Sequence, residues 1–179
     1  MFPKTSGATR SPEEPTGSQP ETMLNISEDQ FDQVTRILER AYPREGCGVL
    51  TGRVLDGRKI VLQIRAADNQ RDDTQNRYLI DPEVIRDLEK ELRLESQDIL
   101  GFFHSHPDVE PVPSDYDRSH AWPWFSYLIV SVQGGQSEEA RSWVLQEDRS
   151  GFDEERLVIT DSDSLAPGSN GDYSQLGDE

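Results

Sequence analysis

The sequence predicts an α+β (mixed α/β) domain, and three observations carry that prediction. A capped, amphipathic helical pattern begins at Ser27. Two apolar-rich runs flank Asp56-Gly57, a dipeptide suited to a hairpin turn. A second helical pattern then precedes several further strand-like runs, Ile99–His106 and Phe125–Val132 among them.

Each element has a local physical reason. Ser27 suits a helix N-cap, Gln30 stands three residues on to complete a capping box, and Ile26 and Phe31 are placed for a hydrophobic staple. Phe31, Val34, Ile37, Leu38 and Ala41 recur at helical spacing, and Pro43 ends the run because the residue before proline avoids the α region. Arg44 to Gly52 reads as a helix-to-strand junction. Val49–Val54 and Lys59–Arg65 are the hairpin strands, and 66–76 is polar enough for a loop. Arg77–Ile80 is a short strand candidate. Asp81-Pro82 then supplies an N-cap and a proline at the first helical position, with Val84, Ile85, Leu88 and Leu92 along one face. Ile99–His106 reads as a strand, and Pro107–Pro113 as a loop stiffened by three prolines. Ser114 caps a short helix through Trp122. Phe125–Val132 suits a central strand, Gly134-Gly135 a turn, and Ala140–Gln146 an alternating strand. Phe152–Ile159 closes the domain as an expected edge strand.

The segments outside these elements differ in composition. Residues 1–23 are rich in Pro, Ser, Thr, Gly and Glu, and residues 160–179 in Asp, Ser and Gly. Neither has the apolar content to offset the entropy of ordering, so both are expected to be disordered tails around a domain at 24–159. The formal net charge of −17 disfavours nucleic-acid binding, which gathers Lys and Arg into a patch. One cysteine, Cys47, excludes an internal disulfide and reads as a small buried hydrophobe. No apolar run approaches the ~18 residues of a membrane span, and the N-terminus lacks a secretory apolar region, so a cytoplasmic location is expected.

Two of the three histidines, His104 and His106, stand one residue apart on the Ile99–His106 run, and Asp117 follows eleven positions later. Residues i and i+2 of a strand share a face, so both rings can reach one ion, with Asp117 brought back by the loop as a third ligand. Two neutral nitrogens, a carboxylate and one open position form the ligand set of a catalytic zinc site. His120 lies on the same short helix and is assigned no role. A deaminase-type zinc site is excluded by the single cysteine, which also disfavours a structural zinc site. From pattern alone Glu45 is an ambiguous carboxylate at a junction, and Ser114 is an N-cap.

The run His104-Ser-His106, ten residues, Asp117, with Ser114 three positions before the aspartate, resembles the JAMM (MPN+) metalloprotease family, in its compact prokaryotic form. The resemblance spans roughly residues 24–159. It implies a JAMM/MPN fold: a curved mixed β-sheet flanked by helices, with zinc at the sheet edge. It implies one Zn2+ per chain on His104, His106 and Asp117, with Glu45 as catalytic base and Ser114 facing the reacting carbonyl. It also implies hydrolysis of the amide bond after the C-terminal Gly-Gly of a ubiquitin-like or sulfur-carrier protein. A non-catalytic MPN scaffold is the alternative; such modules usually lack one or more of these residues, and here all five stand in place.

Overall fold

The computed structural model describes residues 22–67 and 82–161. Residues 1–21 and 162–179 of the expected tails, the Arg77–Ile80 strand and the Asp81 cap lie outside the described residues, while Met23 and Thr160, expected in the tails, belong to strands. The elements are β1 (Met23–Ser27), α1 (Glu28–Ala41), β2 (Cys47–Leu55), β3 (Arg58–Ala67), α2 (Pro82–Leu94), β4 (Asp98–Pro107), α3 (Asp115–His120), β5 (Ser126–Gln133), β6 (Gln136–Leu145) and β7 (Phe152–Thr160). One mixed sheet runs in the order β1-β3-β2-β4-β5-β6-β7 and closes on itself. β4 and β5 pair in parallel, as β1 does with both β3 and β7; the other pairs are antiparallel.

Two corrections follow. Met23–Ser27 is a strand that the helix cap masked in the sequence, because its two core residues, Leu24 and Ile26, are too few to register as alternation. It pairs along β7 from Arg156 to Thr160, so Phe152–Ile159 is not an edge strand. Smaller shifts concern boundaries: Ala66 and Ala67 still belong to β3, β6 starts at Gln136, and α3 stops at His120, before Trp122.

α1 starts at the expected capping box, in which Ser27 Oγ accepts from the Gln30 amide and the Gln30 side chain accepts from the Ser27 amide. Its Val34 and Leu38 pack with Leu24, Ile26, Leu50, Phe103, Leu128 and Val130 in the main core. α2 contributes Leu88 and Leu92 to a second cluster with Val49 and Ile99. Ala121, Tyr127 and Leu145 form a third cluster, at the exit of α3. The Asp56-Gly57 turn has both residues at positive φ, 50° and 76°, as a two-residue hairpin of primed type requires. No helix among the described residues is long and apolar enough to cross a membrane.

A buried ion pair ties four strands together. Lys59 of β3 lies 3.5 Å from Glu155 of β7, both side chains almost fully buried. Lys59 also donates to Ser126 Oγ at 2.9 Å and to the carbonyl of Trp124, and Ser142 Oγ donates to Glu155 at 2.7 Å. Burial pulls the lysine below its usual range, and Glu155 opposes that pull.

The β4/β5 contact is close because Gly101 faces Ser126, and a Cβ at Gly101 would stand 2.0 Å from the Ser126 carbonyl oxygen. The Gly101→Ala variant is expected to lose about 1–3 kcal/mol of stability, as overpacked sites do. Urea unfolding checks this, and an unchanged midpoint would mean that the two strands separate freely.

Candidate metal centre

His104 and His106 occupy the C-terminal end of β4, in register with Ile129 and Ser131 of β5. Strand alternation turns both rings to one face, while Phe103 turns to the main core. Their Nε2 atoms approach to 3.1 Å. Asp117 Oδ1 lies 3.4 Å from His104 Nε2, and Asp117 Oδ2 lies 3.8 Å from His106 Nε2. All three residues are buried, and among the described residues they form the one His/Cys/Asp/Glu group arranged to hold a metal ion. Two bonds of about 2.0–2.1 Å meeting at a tetrahedral angle separate their ligand atoms by about 3.3–3.4 Å, so this spacing fits a metal ion.

The surroundings fix the ring and carboxylate orientations. His106 Nδ1 lies 2.9 Å from the Glu110 carbonyl oxygen. A carbonyl only accepts, so Nδ1 carries the proton and Nε2 turns its lone pair toward the cluster. Glu110 stands in the loop 108–114, which Ser131 Oγ holds through the Val109 carbonyl at 2.7 Å and Trp143 Nε1 through the Pro111 carbonyl at 2.9 Å. Asp117 is held by a second capping box. Its amide donates to Ser114 Oγ at 3.1 Å, while the Ser114 amide and hydroxyl each donate to Asp117 Oδ2 at 2.6 Å.

Electrostatics separate the roles of the four ionisable groups. Burial pushes His104 down to about 3 despite the Asp117 charge, so this ring is neutral and able to coordinate. For His106, burial is outweighed by the hydrogen bonds and charges of Asp117, Glu110 and Glu45, and the ring lies above its usual range. Burial also acts on Asp117, raising it, but the hydrogen bonds from His106 and Ser114 outweigh it and hold the carboxyl well below the carboxylate range. Glu45 lies in the connection between α1 and β2, buried and electrostatically coupled to both His106 and Asp117. Burial raises it to about 7, the His106 charge lowering it and the Asp117 charge adding to the rise.

The sequence reading had no signal for Ser105. It sits between the two histidines and faces away from them. Its Oγ accepts from the Gly46 amide at 2.9 Å, and its own amide donates to the Gly46 carbonyl at 3.0 Å. Gly46 follows Glu45, so these two bonds fasten the Glu45 connection onto the ligand strand. Its full burial in a polar residue is the clue, since a buried hydroxyl needs a partner. Cys47 is buried beside β3, with Sγ 3.8 Å from the Ala67 carbonyl oxygen. His120 is exposed, its ring tilted against Tyr116 and bonded to that residue's carbonyl, outside the cluster.

Comparison with known proteins gives four likenesses. Residues 27–146 match the family model described as prokaryotic homologs of the JAB domain. A desampylase of Haloferax volcanii is 35% identical over 108 residues, covering 60% of this chain and 75% of that protein. A Thermus thermophilus protein described as a "Probable TtuB-protein conjugate cleaving protease" is 27% identical over 112 residues, covering 63% of this chain and 72% of that protein. Among solved structures, a solution structure from Desulfitobacterium hafniense superposes with a TM-score of 0.67 at 28% identity, covering 78% of this chain and 93% of that one.

The raised Glu45 gives a stability prediction for metal-free protein. A carboxyl at about 7 when folded, against 4.5 ordinarily, keeps a proton that the unfolded chain releases. Its contribution is therefore complete below about pH 4.5 and is lost as pH rises to about 7. The Glu45→Gln variant, treated with chelator, is expected to exceed the wild type by about 2 kcal/mol at pH 8 and to match it near pH 4. Denaturant titrations at the two pH values check this; equal differences at both would contradict the raised carboxyl.

Proposed function

This chain belongs to the family of prokaryotic JAB-domain homologs, and on that premise we propose that it is a zinc-dependent isopeptidase. Its substrate in this reading is the amide bond after the C-terminal Gly-Gly of a ubiquitin-like or sulfur-carrier protein. The observation that carries the proposal is the buried His104–His106–Asp117 cluster with Glu45 coupled to it. The likeness to a desampylase and to a conjugate-cleaving protease supports the substrate class.

His104 Nε2, His106 Nε2 and a carboxylate oxygen of Asp117 would hold the ion. Zinc held there would supply Lewis acidity toward the scissile carbonyl and lower the pKa of a water toward ~7. Glu45 takes the proton of the attacking water and delivers it to the departing amine, so one water is consumed and an acid and an amine leave. A buried carboxyl beside the cluster is placed for both transfers. Ser114 serves through its hydroxyl. Its Oγ stays bound to the Asp117 amide while the O–H proton can turn from Asp117 Oδ2 toward the oxyanion, so capping and oxyanion donation are compatible in one rotamer.

The test combines metal content with cleavage of a Gly-Gly-tailed ubiquitin-like fusion by the full chain. About one zinc per chain and cleavage abolished by chelator are expected. The Glu45→Gln variant should keep its zinc and lose about 10³-fold in kcat; retained turnover would remove Glu45 from the chemistry. His106→Ala should lose zinc and activity together, and full zinc content in that variant would undo the ligand assignment. A wild-type protein with neither zinc nor cleavage would favour the scaffold.

A further inference from the structure

α3 has six residues, too few to persist as an isolated helix, yet it carries Asp117. Its N-terminus is closed by the Ser114 box, which leaves the orphan carbonyls of its last turn. Those carbonyls are met from a remote part of the chain. Arg149, in the turn between β6 and β7, donates from Nη1 to the Ala121 carbonyl at 3.0 Å. Its Nη2 donates to the carbonyls of Arg118 and Ser119 at 3.3 and 3.4 Å. A guanidinium fork thus stands at the negative end of the helix dipole. The link to the ligand is short: the Ala121 amide donates to the Asp117 carbonyl at 2.7 Å, and the Ala121 carbonyl accepts from Arg149.

The backbone at Arg149 is itself unusual. Its φ is 60°, in the left-handed region that favours glycine, although Gly151 stands only two residues on. The turn is held there by the Arg149 amide donating to the Gln146 carbonyl at 2.9 Å and by Ser150 bonded to Asp148. A long side chain kept at a strained position calls for a reason beyond the turn.

We propose that Arg149 is a positioning residue for the metal centre: by clamping the C-terminal turn of α3 it holds Asp117 against His104 and His106. This inference rests on the reading of that cluster as a metal site.

The test uses the full chain, with zinc affinity measured by competition with a chromogenic chelator and stability of chelator-treated protein by urea. Arg149→Gly removes the clamp and relieves the positive φ, so the two readouts separate. Zinc affinity is expected to fall about tenfold, at the low end for residues that orient metal ligands, while the unfolding midpoint stays near wild type. Arg149→Lys keeps a charge without the fork and is expected to fall between the two. Wild-type zinc affinity in both variants would overturn the proposal, as would an affinity loss no larger than the loss of folded protein. A wild-type chain that binds no zinc would instead overturn the metal-centre reading.

Discussion

Three lone-pair-bearing side chains buried within hydrogen-bonding distance of one another are an unfavourable arrangement unless a positive charge lies among them. With both Nε2 atoms unprotonated, as ion binding requires, His104, His106 and the Asp117 carboxylate form such an arrangement. Much of the remaining structure serves to keep it assembled. β4 lies between β2 and β5, so the two histidines ride on a strand paired on both sides. The 108–114 loop is pinned by Ser131 and Trp143, and α3 by caps at both ends. Side chains held by so many independent bonds are preorganised for the proposed ion, which would have little reorganisation to induce.

The same enclosure sets the acid–base character of Glu45. The bonds between Ser105 and Gly46 hold its connection against β4, and burial then keeps its proton to an unusually high pH. In the proposed reaction stability and reactivity would oppose each other here, because the environment proposed to suit the carboxyl to proton transfer is one in which its charged form is poorly solvated.

How far the sequence spoke depended on how local each feature is. The His-Ser-His and Ser-x-x-Asp pieces fall within fourteen residues, on a strand and a helix cap that alternation and capping rules read directly. Glu45 has no such local signature and came only through family resemblance. Ser105 and Arg149 act on backbone groups brought near by the closed sheet; Arg149 reaches carbonyls 28 to 31 residues earlier. The expected edge at Phe152–Ile159 failed for a related reason. Its partner, β1, is five residues long and merges into the cap of α1, so periodicity could not separate it.

The Lys59–Glu155 pair has a consequence for how such a chain can change over generations. Inside the barrel, loss of either partner alone strands a desolvated charge, whereas replacing both by apolar residues of similar size removes the problem. The two positions are therefore coupled: a lineage crosses from one state to the other by a paired change or through a weakened intermediate. Ninety-six residues apart in the sequence, they should be inherited as a unit.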